Sequence, residues 1–143
     1  EEGIDYEEDD DFAGGGDLIT TMRGITADGN GVALDGDAGL KIREKGVGNL
    51  HATVDGAQTS NNLFGGISVR EDGVGNLAAS INKAKSVGNA GHGIDFDENR
   101  LNSGDGGSLT ATVSNSMSSA NGGFGVRADQ QTPGQPGSQG QRG

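Results

Sequence analysis

Apolar and polar residues alternate with a period of two in two short blocks that recur along the chain. The first block reads GLKIRE at 39–44, GISVRE at 66–71 and GIDFDE at 93–98, with weaker copies GIDYEE at 3–8 and GVRADQ at 125–130. The second reads GDLITTM at 16–22, GNLHATV at 48–54, GNLAASI at 75–81 and GSLTATV at 107–113. Such alternation predicts strands with one buried face. The inward pairs of the first block are Ile4/Tyr6, Leu40/Ile42, Ile67/Val69, Ile94/Phe96 and Val126/Ala128. The inward triples of the second are Leu18/Thr20/Met22, Leu50/Ala52/Val54, Leu77/Ala79/Ile81 and Leu109/Ala111/Val113. Gly39, Gly66 and Gly93 lie 27 residues apart, and the flanking intervals stretch to 36 and 32. An asparagine follows each second-block leucine after 12 residues: Asn30, Asn62, Asn89 and Asn121.

One repeat has only a handful of inward side chains and cannot offset its own backbone entropy. Repeats stacked about 4.8 Å apart can, because each apolar position then rests on its counterpart in the next. A column of asparagines links amide to amide along such a stack, and asparagine and glycine both tolerate left-handed backbone at corners. Composition sharpens this reading. Leu, Ile, Val and Phe make up fewer than a fifth of the 143 residues, Gly numbers 29 and net charge is -11. Those values ordinarily mean disorder, and only the repeat argues otherwise. With no Cys, disulfide scaffolds and thiol-based metal or nucleophile sites are excluded. The acidity disfavours nucleic acid, and no apolar run is long enough to span a membrane.

The GI-x-V-x-E strand, the G-N-L-x-A-x-V strand and the corner asparagine before the next glycine resemble those of right-handed parallel β-helix repeat proteins. The likeness covers residues 1–130 and implies an all-β fold, a short right-handed parallel β-helix of four to five coils with about 27 residues in each. That group includes pectate-lyase-like polysaccharide enzymes, phage tailspike-type proteins and surface repeat proteins. The acidic, Gly/Asn/Thr-rich style is most similar to the surface repeats, which implies a secreted or cell-surface setting. Enzymes of this fold usually have many more coils, so the expected function is a non-catalytic structural or adhesive module. Its polar acidic face would contact a polysaccharide, cations or another surface protein.

Outward positions of the first block supply the candidate chemistry. Stacking sets Asp5 on Lys41, Glu7 on Arg43, Arg70 on Asp97 and Asp95 on Arg127, so that Arg43, Arg70, Asp95 and Asp97 form a candidate ligand-binding face. The alternative is a polysaccharide lyase or hydrolase fragment in which Asp95 and Asp97 act as the catalytic carboxylates beside Arg70. A neighbouring arginine lowers a carboxylate pKa, which works against a general acid there. A glutamate column, Glu8, Glu44, Glu71 and Glu98, falls on inward positions. Buried carboxylates are costly, so the strand is expected to end there and turn them outward, capped by corner amides or bridged by Ca²⁺ on Glu44, Glu71 and Glu98. His51 and His92 lie in different parts of the repeat, which disfavours zinc.

Loop expansions are expected within EDDDFAGGG, VALDGDA and RLNSGDGG, on a side that is either functional or merely tolerant. Residues 131–143, rich in Pro, Gly and Gln, read as a flexible linker; three collagen-like triplets are too few for a triple helix. The repeat starts at residue 3 with no preceding cap. Its open edges imply either a longer parent solenoid or end-to-end self-association.

Overall fold

A computed structural model describes residues 3–9, 15–31, 38–99 and 107–131. The described residues form thirteen strands and no helix, so none long and apolar enough to cross a membrane. First-block strands are β1 (Ile4–Asp9), β4 (Leu40–Val47), β7 (Ile67–Val74), β10 (Ile94–Asn99) and β13 (Val126–Gln130). They form one parallel sheet, in that order. Second-block strands β2 (Leu18–Arg23), β5 (Leu50–Asp55), β8 (Leu77–Asn82) and β11 (Leu109–Ser114) form another. A third sheet holds β3 (Thr26–Asp28), β6 (Gln58–Ser60), β9 (Lys85–Val87) and β12 (Met117–Ser119). The chain therefore visits the three sheets in turn, and each coil contributes one strand to each.

The register is the one that the repeat predicts. Leu40 pairs with Ile67 and Ile67 with Ile94, while Leu18, Leu50, Leu77 and Leu109 run in one column. The inward residues of the middle coils are sealed: Leu40, Ile42, Leu50, Val54, Ile67, Val69, Leu77 and Ile81 are all 0 % exposed. The third strand was not foreseen, because three residues with one inward side chain (Ala27, Thr59, Ser86 or Ser118) carry no period to detect. The loop segments 10–14, 32–37 and 100–106, and tail residues 132–143, lie outside the described residues.

The asparagine column forms as expected. Asn62 Nδ2 donates to Asn89 Oδ1 at 2.8 Å, and Asn89 Nδ2 donates to Asn121 Oδ1 at 2.9 Å. Its role at the corner differs from expectation. The left-handed residue is the one before each ladder asparagine, namely Gly29, Asn61, Gly88 and Ala120, with φ of 54–69°. The strand-start glycines owe their identity to close approach instead. A Cβ on Gly39 would lie 2.4 Å from Asn62 Nδ2, and one on Gly66 would lie 2.0 Å from Ser86 Oγ. Tighter still is Gly75, whose added Cβ would meet the Gly48 carbonyl oxygen at 1.5 Å. Gly75→Ala should therefore cost about 3 kcal/mol, since backbone rather than a side-chain tip must yield, as urea denaturation would measure.

The glutamate column corrects the sequence reading. β4 and β7 do not end at Glu44 and Glu71 but run on to Val47 and Val74, so strict alternation keeps both glutamates inward. Glu44, Glu71 and Glu98 are each 0 % exposed, stacked in register. Corner backbone reaches one of them: Gly107 N–H donates to Glu98 Oε1 at 2.8 Å. Among the described residues no N–H group donates to either Glu71 oxygen. Burial, the facing Glu44 carboxyl, and the charges of Glu44, Glu98 and Asp72 push the Glu71 carboxyl up to about 8. A carboxyl in such a column is accommodated by carrying a proton, which it then shares with its neighbour.

Candidate functional site

The outer face of the first sheet carries a groove of about 320 Å³. Alternation turns every second side chain of β4, β7, β10 and β13 toward it, and register brings those side chains side by side. Arg43, Arg70, Asp95 and Asp97, the four candidate ligand-binding residues, all line it. Lys41, Ser68, His92 and Arg127 complete the polar lining. The groove thus concentrates cationic groups on a chain whose net charge is -11.

The ion pairs follow the predicted register only in part. Lys41 Nζ lies 2.8 Å from Asp5 Oδ2, and Arg127 grips Asp95 with Nε at 2.6 Å and Nη2 at 2.9 Å. Glu7 sits opposite Arg43 in register but pairs with Lys41 and Lys45. Arg70 sits opposite Asp97 but bonds Asp72 through Nε at 2.6 Å, and Arg43 Nε reaches the same carboxylate at 2.6 Å. Guanidinium reach decides this: the long side chain bends along its strand toward the more buried acceptor.

Asp72 is the residue that sequence reasoning missed. It is 1 % exposed, beneath Arg43 and Arg70, and Asn99 Nδ2 donates to its Oδ1 at 2.9 Å. Burial alone would raise its pKa. The Arg70 and Asn99 hydrogen bonds, the Arg70 charge and Arg43 outweigh that and hold the carboxyl below its ordinary range. A sequence signal existed in the charge pattern, since Asp72 stands one register place beyond two stacked arginines. His92 was missed for a similar reason. Its corner position hides it from strand alternation, yet its ring stacks on Phe124 at 5.4 Å and Nδ1 accepts the Phe124 N–H at 2.9 Å. His51 lies exposed on the second sheet, as its place after Leu50 predicted.

Asp97 reverses an expectation. Burial pushes its carboxyl up, and it prevails over the opposing charges of Arg70 and Arg127. Among the described residues Asp97 Oδ1 is buried with no hydrogen-bond partner at close range, Oδ2 stands 3.4 Å from Arg127 Nη2, and the Asn99 amide adds a further pull on the carboxyl. Arg70, whose side chain is 42 % exposed, engages Asp72 through Nε alone. The groove therefore presents the part-exposed Asp97 carboxyl beside Arg70 guanidinium nitrogens that need an acceptor. Hydroxyl groups satisfy both at once.

Ca²⁺ takes six to eight oxygens converging on one point. Glu44, Glu71 and Glu98 instead form a row, each opposite the next in adjacent strands, and among the described residues no three His, Cys, Asp or Glu side chains converge on a metal position.

Comparison with protein families, with curated proteins and with solved structures finds no match for this chain.

Proposed function

We propose that the chain is a short right-handed parallel β-helix acting as a non-catalytic adhesive or structural module of a secreted or cell-surface protein, with the first-sheet groove contacting a glycan. Three parallel sheets visited in turn support the β-helix, and crossovers between parallel strands are almost always right-handed. The observation that carries the glycan reading is the pairing of the part-exposed Asp97 carboxyl with the partly exposed Arg70 in one groove. Sugar hydroxyls donate to the first and accept from the second. Titration of neutral and uronic-acid oligosaccharides, followed by calorimetry, tests this. Arg70→Ala and Asp97→Asn should each weaken binding about tenfold, the effect of one charge-assisted hydrogen bond. Unchanged affinity in both variants sinks the reading.

A polysaccharide-cleaving activity is the second reading, favoured by the raised pKa of Asp97 beside Asp95, two carboxylates in unlike surroundings. The same panel separates the two. Turnover that Asp97→Asn abolishes without loss of binding supports the enzyme, and binding without turnover supports the module.

A further inference from the structure

We propose that two copies of this chain stack head to tail, the last coil of one continuing into the first coil of the next. Among the described residues, β13, β11 and β12 are the last strands of their three sheets, and β1, β2 and β3 are the first. Every pairing inside the stack is parallel, so one translation along the stack would bring all three pairs of open strands together. The last described coil leaves apolar side chains uncovered. Val126 is 49 % exposed, whereas Ile67 and Ile94 in the same column are 0 % exposed.

Continuing the observed register gives matched partners. Val126 would rest on Ile4, Leu109 on Leu18 and Arg127 on Asp5, each like the contacts within the chain. Gln130, the last place of the glutamate column, would bring a neutral amide rather than a fifth carboxylate to Glu8. Asp129 on Glu7 is the like-charged pair, and Lys41 and Lys45 already bond Glu7 from its own chain. The asparagine ladder also has a direction. The Asn30, Asn62 and Asn89 backbone N–H groups each donate to Oδ1 of the asparagine one coil on. Asn121 would donate in the same way to Asn30 of the second copy.

Two glycines mark the open ends and give a way to block them. A Cβ on Gly66 or Gly93 would strike the carbonyl oxygen of the next glycine in its column at 2.6 Å. Gly125 ends that column, and the nearest atom to its Cβ would be 3.6 Å away. In the other column, a Cβ on Gly48, Gly75 or Gly107 would strike the preceding glycine oxygen at 2.1, 1.5 or 1.4 Å. Gly16 begins that column and has nothing within 4 Å. A single chain thus has room for side chains at 16 and 125, and a stacked copy removes it. Neither residue has positive φ, so valine is tolerated by the backbone at both.

Sedimentation equilibrium across a hundredfold range of concentration tests the proposal. The parent chain should grow in average mass with concentration, because a head-to-tail contact does not close on itself. Gly16→Val and Gly125→Val should each remain monomeric, with the melting temperature that the parent shows when diluted to monomer. Mixed together they should form a species of twice the monomer mass and no larger, since each retains the end that the other lacks. A parent chain that stays monomeric throughout overturns the proposal. So does association of either valine variant alone, or a lowered melting temperature of Gly125→Val at unchanged mass, which would mean that the chain covers its own end. Mass, not sugar binding, is the readout, so the outcome is independent of the groove.

Discussion

Stability should fall as pH rises from about 4.5 to about 8 and then level off, the reverse of ordinary carboxylate behaviour. The Glu71 carboxyl is raised from 4.5 in the unfolded chain to about 8 in the folded one. Between those values the native state binds the proton more tightly, so the slope of unfolding free energy with pH is negative. The contribution is complete below 4.5 and lost as pH climbs through 8. Because Glu71 titrates together with the carboxyls stacked on it, the loss belongs to the column and is on the order of a few kcal/mol, or roughly 10 °C in melting temperature for a chain of this length. Asp97, also raised by burial, titrates in the same sense. Asp72 is held low by Arg70, Asn99 and Arg43 against its burial, so its contribution is present above 3.8 and lost only as pH falls below that. The two windows do not overlap, which places maximal stability near pH 4.5 to 5. Glu71→Gln should flatten most of the slope between pH 5 and 8 and leave the variant more stable than the parent at pH 8.5. Calorimetric scans at half-unit intervals check this, and equal slopes in both proteins would show that Glu71 carries no proton at neutral pH.

Asn89→Ala should cost about 4 kcal/mol, while Asn30→Ala should cost about 1. Asn89 Oδ1 accepts the Asn62 backbone N–H at 3.1 Å and Asn62 Nδ2 at 2.8 Å. Its own amide donates to Ser86 Oγ at 3.0 Å and Asn121 Oδ1 at 2.9 Å. Asn62 is 1 % exposed, so truncating Asn89 strands two buried donors of Asn62 that water cannot reach. Asn30, at the first coil, only donates within the ladder, to an Asn62 oxygen that its own backbone N–H also reaches. Urea midpoints for the two variants give the comparison. Equal losses would mean that the ladder is not cooperative along the stack.

Two of the three stacked sheets, and the register within them, were legible in the order of residues. Alternation fixed which side chains of β4, β5, β7 and β8 face inward, because a strand's side-chain period is two whatever surrounds it. Recurrence at 27 residues fixed which strand lies on which, so Leu50 met Leu77 and Arg43, Arg70, Asp95 and Asp97 came to one face. What alternation could not supply is the point where a strand stops. Glu44 and Glu71 were expected to turn outward for electrostatic reasons, yet three more residues of strand held them inside, where protonation offsets the burial. Side-chain reach was equally hidden: Arg70 chose Asp72 over its register partner Asp97, and this left Asp97 Oδ1 without a donor. Backbone register is a local, periodic property written into the order of residues. The protonation of Glu71 and the partners of Arg70 depend on distances and desolvation that exist only once four coils are stacked.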